Sequence, residues 1–194
     1  MKIKCLCFLL LIGFSSISQS GELKLLNNIN PTNPNSSFQK MISNSTYAVV
    51  LGTTLGSLTL SLINKDSTLK HKSYNILGSL AINVLTTEIL KRVAQRERPF
   101  VQNSFIHPYQ TDEADRSFPS GHTSNAFSFA TSISLNFPKW YVVVPAYAWA
   151  SSVGYSRMYL GVHYPTDVLA GAILGSASAI ISQKINKKLF GKKK

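Results

Sequence analysis

The sequence predicts an all-α protein: an antiparallel helical bundle embedded in a membrane by five spans, or six if its N-terminal segment is retained. Three observations point there. Lys, Arg, Asp and Glu are absent from residues 41–64, 73–87, 117–138, 140–156 and 168–183. A helix on a soluble domain exposes one face to water and normally carries charge there, whereas a membrane span needs about 17–25 mostly apolar residues. Second, Pro138-Lys139 parts two of these runs by a turn so short that its flanking helices must be antiparallel neighbours. Third, the runs are rich in Ser, Thr, Gly and Ala, and Gly52-x3-Gly56 and Gly171-x3-Gly175 have the spacing that lets helices approach closely.

Taken in chain order, residues 1–20 read as a signal peptide or N-terminal anchor. Lys2 and Lys4 precede an apolar stretch from Cys5 to Phe14, and small residues at Ser18 and Ser20 suit cleavage before Gly21. Cys5 and Cys7 lie inside that stretch, so a cleaved chain keeps no cysteine. Residues 21–46 carry Asn27, Asn28, Asn30, Pro31, Asn33, Pro34 and Asn35 and read as an irregular exposed connector. Residues 47–183 form the helical domain, and 184–194 a Lys-rich tail. The loop 100–117 holds Asp112, Glu113 and Asp115, and reads equally as a gate over a site or as a solvated loop. Polar residues inside the runs (Asn75, Asn83, Ser124, Asn125, Ser128, Ser132 and Ser134) are more than a site alone accounts for.

The formal net charge of +12 is divided in a way that orients the chain. Lys65, Lys70 and Lys72 follow the first run, Lys139 lies in the tight turn, and Lys184, Lys187, Lys188, Lys192, Lys193 and Lys194 form the tail. Placing these inside satisfies the positive-inside rule and puts residues 22–40, 91–116 and 157–167 together outside. Trp140 and Tyr141 suit an interfacial position. The tail suits contact with anionic headgroups. No nucleic-acid partner is expected, because the positive charges are split between two faces and no recognition motif accompanies them.

The face assigned to the outside carries a set of phosphate-handling residues in three stretches. Lys91 is followed after six residues by Arg98-Pro99; then comes Pro119-Ser120-Gly121-His122; then Ser156-Arg157, His163 and Asp167. Arginine offers a phosphate a planar fork of donors, and lysine a point charge. Ser120 and Gly121 stand where a helix should begin, and the free N–H groups of a first helical turn bind anions. His163 and Asp167 are four apart, the spacing that stacks side chains on one helical face. A carboxylate there can hold one ring nitrogen and leave the other free to attack. Two histidines with different partners suit a nucleophile and a general acid. Arg92 and Arg96 lie off this pattern, and their replacement is expected to matter little. Each stretch alone is weak, since Ser-Gly-His is usually a turn and His with Asp at the fourth position usually a surface pair.

Together the stretches resemble the type 2 phosphatidic acid phosphatase and vanadium haloperoxidase superfamily. Its pattern Lys-x6-Arg-Pro, Pro-Ser-Gly-His and Ser-Arg-x5-His-x3-Asp is met at every defining position. The resemblance, nearest to the bacterial lipid phosphatases, implies that His163 forms a phosphohistidine, that Asp167 orients it and that His122 protonates the leaving oxygen. It implies that Lys91, Arg98, Ser120, Gly121 and Arg157 cradle the phosphoryl oxygens. It implies no metal and no other cofactor, and neither a two-histidine zinc motif nor a carboxylate-rich calcium loop is present. The implied substrate is a lipid phosphate: lipid A, undecaprenyl diphosphate, phosphatidylglycerophosphate or phosphatidic acid. The size and signal-like start look most similar to small lipid A phosphatases. The implied place is a bacterial inner membrane with the site on the periplasmic face. Alternatives are a soluble periplasmic acid phosphatase, a vanadate-dependent haloperoxidase and a non-catalytic membrane scaffold. The short interval between His122 and His163 favours the phosphatases over the haloperoxidases.

Overall fold

The computed structural model describes residues 19–109 and 116–190. The expected signal segment up to residue 18, the acidic cluster Asp112, Glu113 and Asp115, and Lys192 to Lys194 lie outside the described residues. The chain forms α1 (Gln19–Ile29), α2 (Ser37–Ile63), α3 (Ser67–Ala94), the one-turn α4 (Pro99–Gln102), α5 (Gly121–Asn136), α6 (Trp140–Tyr159) and α7 (Pro165–Phe190). Each charge-free run falls on one of the five long helices. α5 sits at the centre, packed against α2, α3, α6 and α7, and α3 closes the bundle against α2 and α7.

Local chemistry sets where the helices begin and end. Ser36 caps α2 by accepting from the Gln39 amide. Asp66 caps α3 by accepting from the amides of Thr68 and Leu69 at 2.8 and 3.0 Å. Lys65, with φ of 52°, turns the chain back between those helices, and Gln95, with φ of 46°, ends α3 in the left-handed region. Three-residue links therefore reverse the chain between α2 and α3 and between α5 and α6.

The distribution of residue types is the reverse of that in a water-soluble bundle. Large apolar side chains face outward, among them Leu51, Leu55, Leu85, Ile89, Val144 and Ile173, as do Trp140 and Tyr141. The interior mixes Ser, Thr, Asn, Ala and Gly with a few larger apolar side chains such as Val50, Ile76 and Phe129. Soluble proteins rarely expose contiguous apolar surface on this scale, and small or hydrogen-bonding residues are what membrane helices bury against one another. α2 and α7 are long and apolar enough to cross a membrane by length and composition.

Most of the polar residues inside the runs form rungs between helices. Asn83 donates to Asn125 Oδ1 at 2.8 Å and to Ser124 Oγ at 3.2 Å, Asn75 donates to Asn136 Oδ1 at 3.0 Å, and Ser79 meets Ser128. Nothing in the structure explains the Ser132 and Ser134 hydroxyls, which are buried without a hydrogen-bond partner.

The two glycine pairs behave differently. A Cβ at Gly171 would meet the Ser120 carbonyl oxygen at 2.7 Å, and one at Gly175 would collide with the Ser124 carbonyl oxygen, so both permit the α5–α7 contact. Gly52 and Gly56 have open space where a Cβ would stand, and among the described residues the expected close contact through them is not made. They lie on the outward face of α2, so their spacing serves none of the described helices.

The stretch expected to be an irregular exposed connector is largely helical. α1 occupies Gln19–Ile29, α2 already begins at Ser37, and only the Asn- and Pro-rich segment between them is irregular. Leu26 is fully buried against Ile106 and Tyr164, and Asn30 donates to the carbonyls of His107 and Tyr159 at 2.9 Å each. Burial of one apolar side and one polar knot holds α1 on the bundle. The cleavage point expected after Ser20 falls in the first turn of this helix.

Candidate active site

All three motif stretches converge on one end of the bundle, where α3 and α6 end and α5 and α7 begin. Lys91 lies buried in the last turn of α3 and donates to the Arg116 carbonyl at 2.9 Å. Arg98 stands just before α4, where Pro99 supplies the fixed φ of a first helical position. Its buried guanidinium donates to the Val162 carbonyl at 2.8 Å and lies 3.3 Å from His163 Nε2. Arg157, in the last turn of α6, donates to Ser43 Oγ at 2.9 Å.

Ser120 is the N-cap residue of α5, as its place in the sequence predicts, but its hydroxyl does not cap the helix. The hydroxyl instead meets Thr123 Oγ1 at 2.9 Å. The Gly121 backbone borders open space, with nothing within 4 Å of where a Cβ would stand, and it opens the first turn of α5, whose N–H groups can bind an anion. His122 follows in the first turn of α5, with Tyr47 edge-on to its ring at a centroid distance of 5.1 Å.

His163 sits in the short link between α6 and α7, almost wholly buried. This link is reversed at Gly161, whose φ of 69° and closeness to the His107 carbonyl exclude any side chain. Burial pushes the His163 imidazole down to about 4; Arg157 and Arg98 push the same way, and Asp167 opposes them. The ring is therefore neutral at ordinary pH and carries a lone pair.

Asp167 stands near this ring but is not hydrogen-bonded to it. Oδ2 lies 3.6 Å from Nδ1, outside hydrogen-bond range. The carboxylate is fixed by other donors: Arg96 to Oδ1 at 2.8 Å, and both Ser117 Oγ and the Tyr164 amide to Oδ2. The expectation that the carboxylate grips the ring is thus met in place and not in bonding.

Arg96 is the clearest correction to the sequence reading. Far from lying off the site, its Nη1 reaches both Asp167 and Thr166 Oγ1, and its Nη2 reaches Glu22 Oε1 at 2.5 Å. Its guanidinium also lies over the Tyr164 ring at 3.8 Å. Arg92, by contrast, is exposed. Glu22, Ser43, Tyr47, Ser117 and Thr166 complete the surroundings, and sequence reasoning missed all five. For Arg96 a signal existed, since it stands two residues before Arg98 on a non-helical segment. For Glu22, 145 residues from Asp167, there was none.

Comparison with known proteins places this geometry. The PAP2 superfamily model matches residues 73–190, which hold every motif residue. An undecaprenyl-diphosphatase of Sulfolobus acidocaldarius is 36% identical over 110 residues, covering 55% of this chain and 52% of that protein. A lipid A 1-phosphatase of Rhizobium johnstonii is 35% identical over 104 residues, covering 50% and 41% respectively. The chain thus spans about half the length of such relatives. Among solved structures, that of Aquifex aeolicus LpxE superposes with a TM-score of 0.65 at 28% identity, covering 84% of this chain and 92% of that one. The PAP2-type phosphatidylglycerolphosphate phosphatase of Bacillus subtilis, described as transmembrane, gives 0.52 at 26% identity, covering 86% and 93%. A model match over more than half the chain, with the three motif stretches gathered at one end of the bundle, makes this protein a member of the PAP2 superfamily.

Proposed function

We propose that the protein is a membrane phosphatase that hydrolyses the phosphate monoester or diphosphate of a lipid through a phosphohistidine, without a metal. The observation that carries this reading is the setting of His163. Its Nε2 stands 3.3 Å from the Arg98 guanidinium, and its Nδ1 side faces Asp167. Burial above all, with Arg157 and Arg98 acting the same way, lowers its basicity and keeps the ring neutral, and both arginines bring positive charge toward the place where a phosphoryl group meets Nε2.

In the first step Nε2 attacks phosphorus and the bond to the lipid oxygen breaks. The electron pair leaves with that oxygen, which takes a proton from His122. Asp167 offsets the charge gained by the His163 ring. In the second step water gives a proton to His122 and attacks the phosphohistidine. The phosphorus–nitrogen bond breaks, its pair returns to Nε2, and inorganic phosphate departs. Lys91, Arg98, Arg157, Ser120 and the Gly121 amide hold the phosphoryl oxygens, and charge stabilisation of this kind is commonly the largest contribution in such sites.

The relatives' names favour a lipid substrate, and so does the apolar exterior. A soluble periplasmic phosphatase fits that exterior poorly. The decisive test is phosphate release by purified protein from lipid A, undecaprenyl diphosphate, phosphatidylglycerophosphate and phosphatidic acid with a chelator present. Turnover of at least one, inhibited by vanadate and unaffected by the chelator, is expected; turnover only after a divalent metal is added refutes the metal-free mechanism.

The site is proposed to face away from the cytoplasm, at the outer surface of a bacterial inner membrane. Support comes from Lys65, Lys139, Lys184, Lys187 and Lys188, which the helix reversals carry to the other end of the bundle. A cysteine at Asn103 should then react with an impermeant thiol reagent in cells with a permeable outer membrane, and one at Ser67 only after lysis. The opposite pattern reverses the orientation, and labelling of both from outside removes the membrane from the account.

A further inference from the structure

We propose that Arg96 is a positioning residue for the nucleophile's carboxylate, and that it makes α1 part of the catalytic apparatus through Glu22. The proposal rests on the phosphohistidine reading and names how that site is held.

Three donors fix the Asp167 carboxylate, and two of them come from residues beside it or shortly before Ser120. Ser117 and the Tyr164 amide hold Oδ2, the oxygen that faces His163. Among the described residues only Arg96 holds Oδ1, at 2.8 Å. Without it only the two Oδ2 donors resist turning of the carboxylate about its Cβ–Cγ bond, and the angle at which Oδ2 meets the ring is less firmly set. A carboxylate that supports a histidine acts through orientation as well as charge, and misplacement of about 1 Å at a reacting group costs as much as about a hundredfold in rate.

Arg96 is itself held from the far side. Its Nη2 pairs with Glu22 Oε1, and Thr166 Oγ1 donates to Glu22 Oε2 at 2.6 Å while accepting from Arg96 Nη1. Glu22 is buried, and so is Asp167, so one guanidinium neutralises two buried carboxylates drawn from opposite ends of the sequence. Tyr164 closes the remaining face of the guanidinium. Both Nη nitrogens are thus committed to protein acceptors, which suits a brace and not a phosphate ligand.

α1 is fitted to serve as the brace. Glu22 lies in its first turn, Leu26 seats it on Ile106 and Tyr164, and Asn30 just past its end ties it to His107 and to Tyr159 at the end of α6. The helix is attached to segments that carry or adjoin Arg96, Arg157 and His163. Movement of α1 should therefore reach the nucleophile through Glu22 and Arg96.

The test uses full-length protein in detergent with dioctanoyl phosphatidic acid. Arg96→Gln should lower kcat about thirtyfold to a hundredfold with KM changed less than about threefold. Glu22→Gln, which keeps shape and one acceptor, should lower kcat about tenfold. Because Glu22 acts through Arg96, the double variant should match Arg96→Gln within about twofold. Arg92→Gln should leave both parameters unchanged. Unaltered kcat in Glu22→Gln, a loss confined to KM, or losses that multiply in the double variant would each overturn the proposal. Glu22→Gln decides the matter even if Arg96→Gln does not fold. A dead His163→Ala beside a fully active Arg96→Gln removes this inference alone, whereas an active His163→Ala removes the phosphohistidine reading beneath it.

Discussion

The two ends of the bundle use positive charge in opposite ways. At the motif end Lys91, Arg98 and Arg157 are buried; Lys91 reaches a carbonyl, Arg98 a carbonyl and the His163 ring, and Arg157 a hydroxyl. At the other end Lys65 is exposed, and Lys70 and Lys72 lie over the rings of Tyr74 and Phe137. The first arrangement accepts the desolvation of fixed cations, which the proposed mechanism turns toward a phosphoryl group. The second leaves ammonium groups near water while their stems lie along apolar surface. Identity of charge says little; burial separates the two ends, since Lys91 is buried at one and Lys65 exposed at the other.

The strongest break in this comparison is at the nucleophile. His163→Ala should lower kcat by about three orders of magnitude or more while the protein still inserts, because the covalent step is removed. Asp167→Asn should lose less, since the ring remains with a poorer partner. Arg98→Lys keeps the charge but loses the fork, and a loss of about tenfold to a hundredfold is expected. Lys70→Arg at the other end should change kcat less than about twofold. Phosphate release from the four purified variants settles the order, and equal losses at Arg98 and Lys70 would erase the distinction between the two ends.

The interior gives a second contrast, between glycines that touch and glycines that do not. A side chain at Gly175 collides with the backbone of α5, which cannot yield as a flexible side chain can. Gly175→Val should therefore lower stability by about 2 kcal/mol or more, read as a lower unfolding midpoint in detergent. Gly52→Val meets open space and should stay within about 1 kcal/mol. Loss of stability at both positions would mean that the outward face of α2 is packed against a partner.

These contrasts also show what was legible in the sequence. The five helices were, because absence of charge over a span's length survives without knowledge of packing. The residues from Lys91 to Asp167 that gather at the site were legible through spacing and chemical type. Gly171 and Gly175 could not be told from Gly52 and Gly56, since both pairs have the same spacing and only the helix facing them differs. Arg96 was misread because it was judged against a pattern of residues that meet phosphate, and its partners are carboxylates. Glu22 was hidden because a lone acid in an Asn-rich stretch has no periodic signal. Supporting contacts between distant segments are set by tertiary packing, and neither local spacing nor residue type records them.

A third prediction concerns acid. The His163 ring is held down to about 4 against an ordinary value of 6.5, so its proton prefers the unfolded chain. Stability from this group is fully present above about pH 6.5 and is lost as the pH falls toward about 4. Between about pH 7.5 and about pH 5 the loss should be roughly 2 kcal/mol. His163→Asn has no such proton, so its unfolding midpoint in detergent should fall less over the same range. Identical slopes for the two proteins would show that the ring is not desolvated as its burial requires.

The smallest effect expected is at Asp66, and it bears on the same comparison from the acidic side. Asp167 and Glu22 at the motif end pair with a guanidinium, whereas among the described residues Asp66 at the other end accepts only from backbone amides, those of Thr68 and Leu69. Its work is to satisfy the first turn of α3 and to complement that helix's dipole. Asp66→Ala should cost about 1 kcal/mol, and Asp66→Asn a few tenths, because the amide oxygen still accepts. Neither should alter kcat, since α3 reaches the site only at its other end, through Lys91. A stability loss for Asp66→Ala with turnover intact confirms that this acid is a cap. A fall in turnover would mean that the start of α3 and the site at its end are coupled along the helix, and the two ends of the bundle would no longer be separable by function.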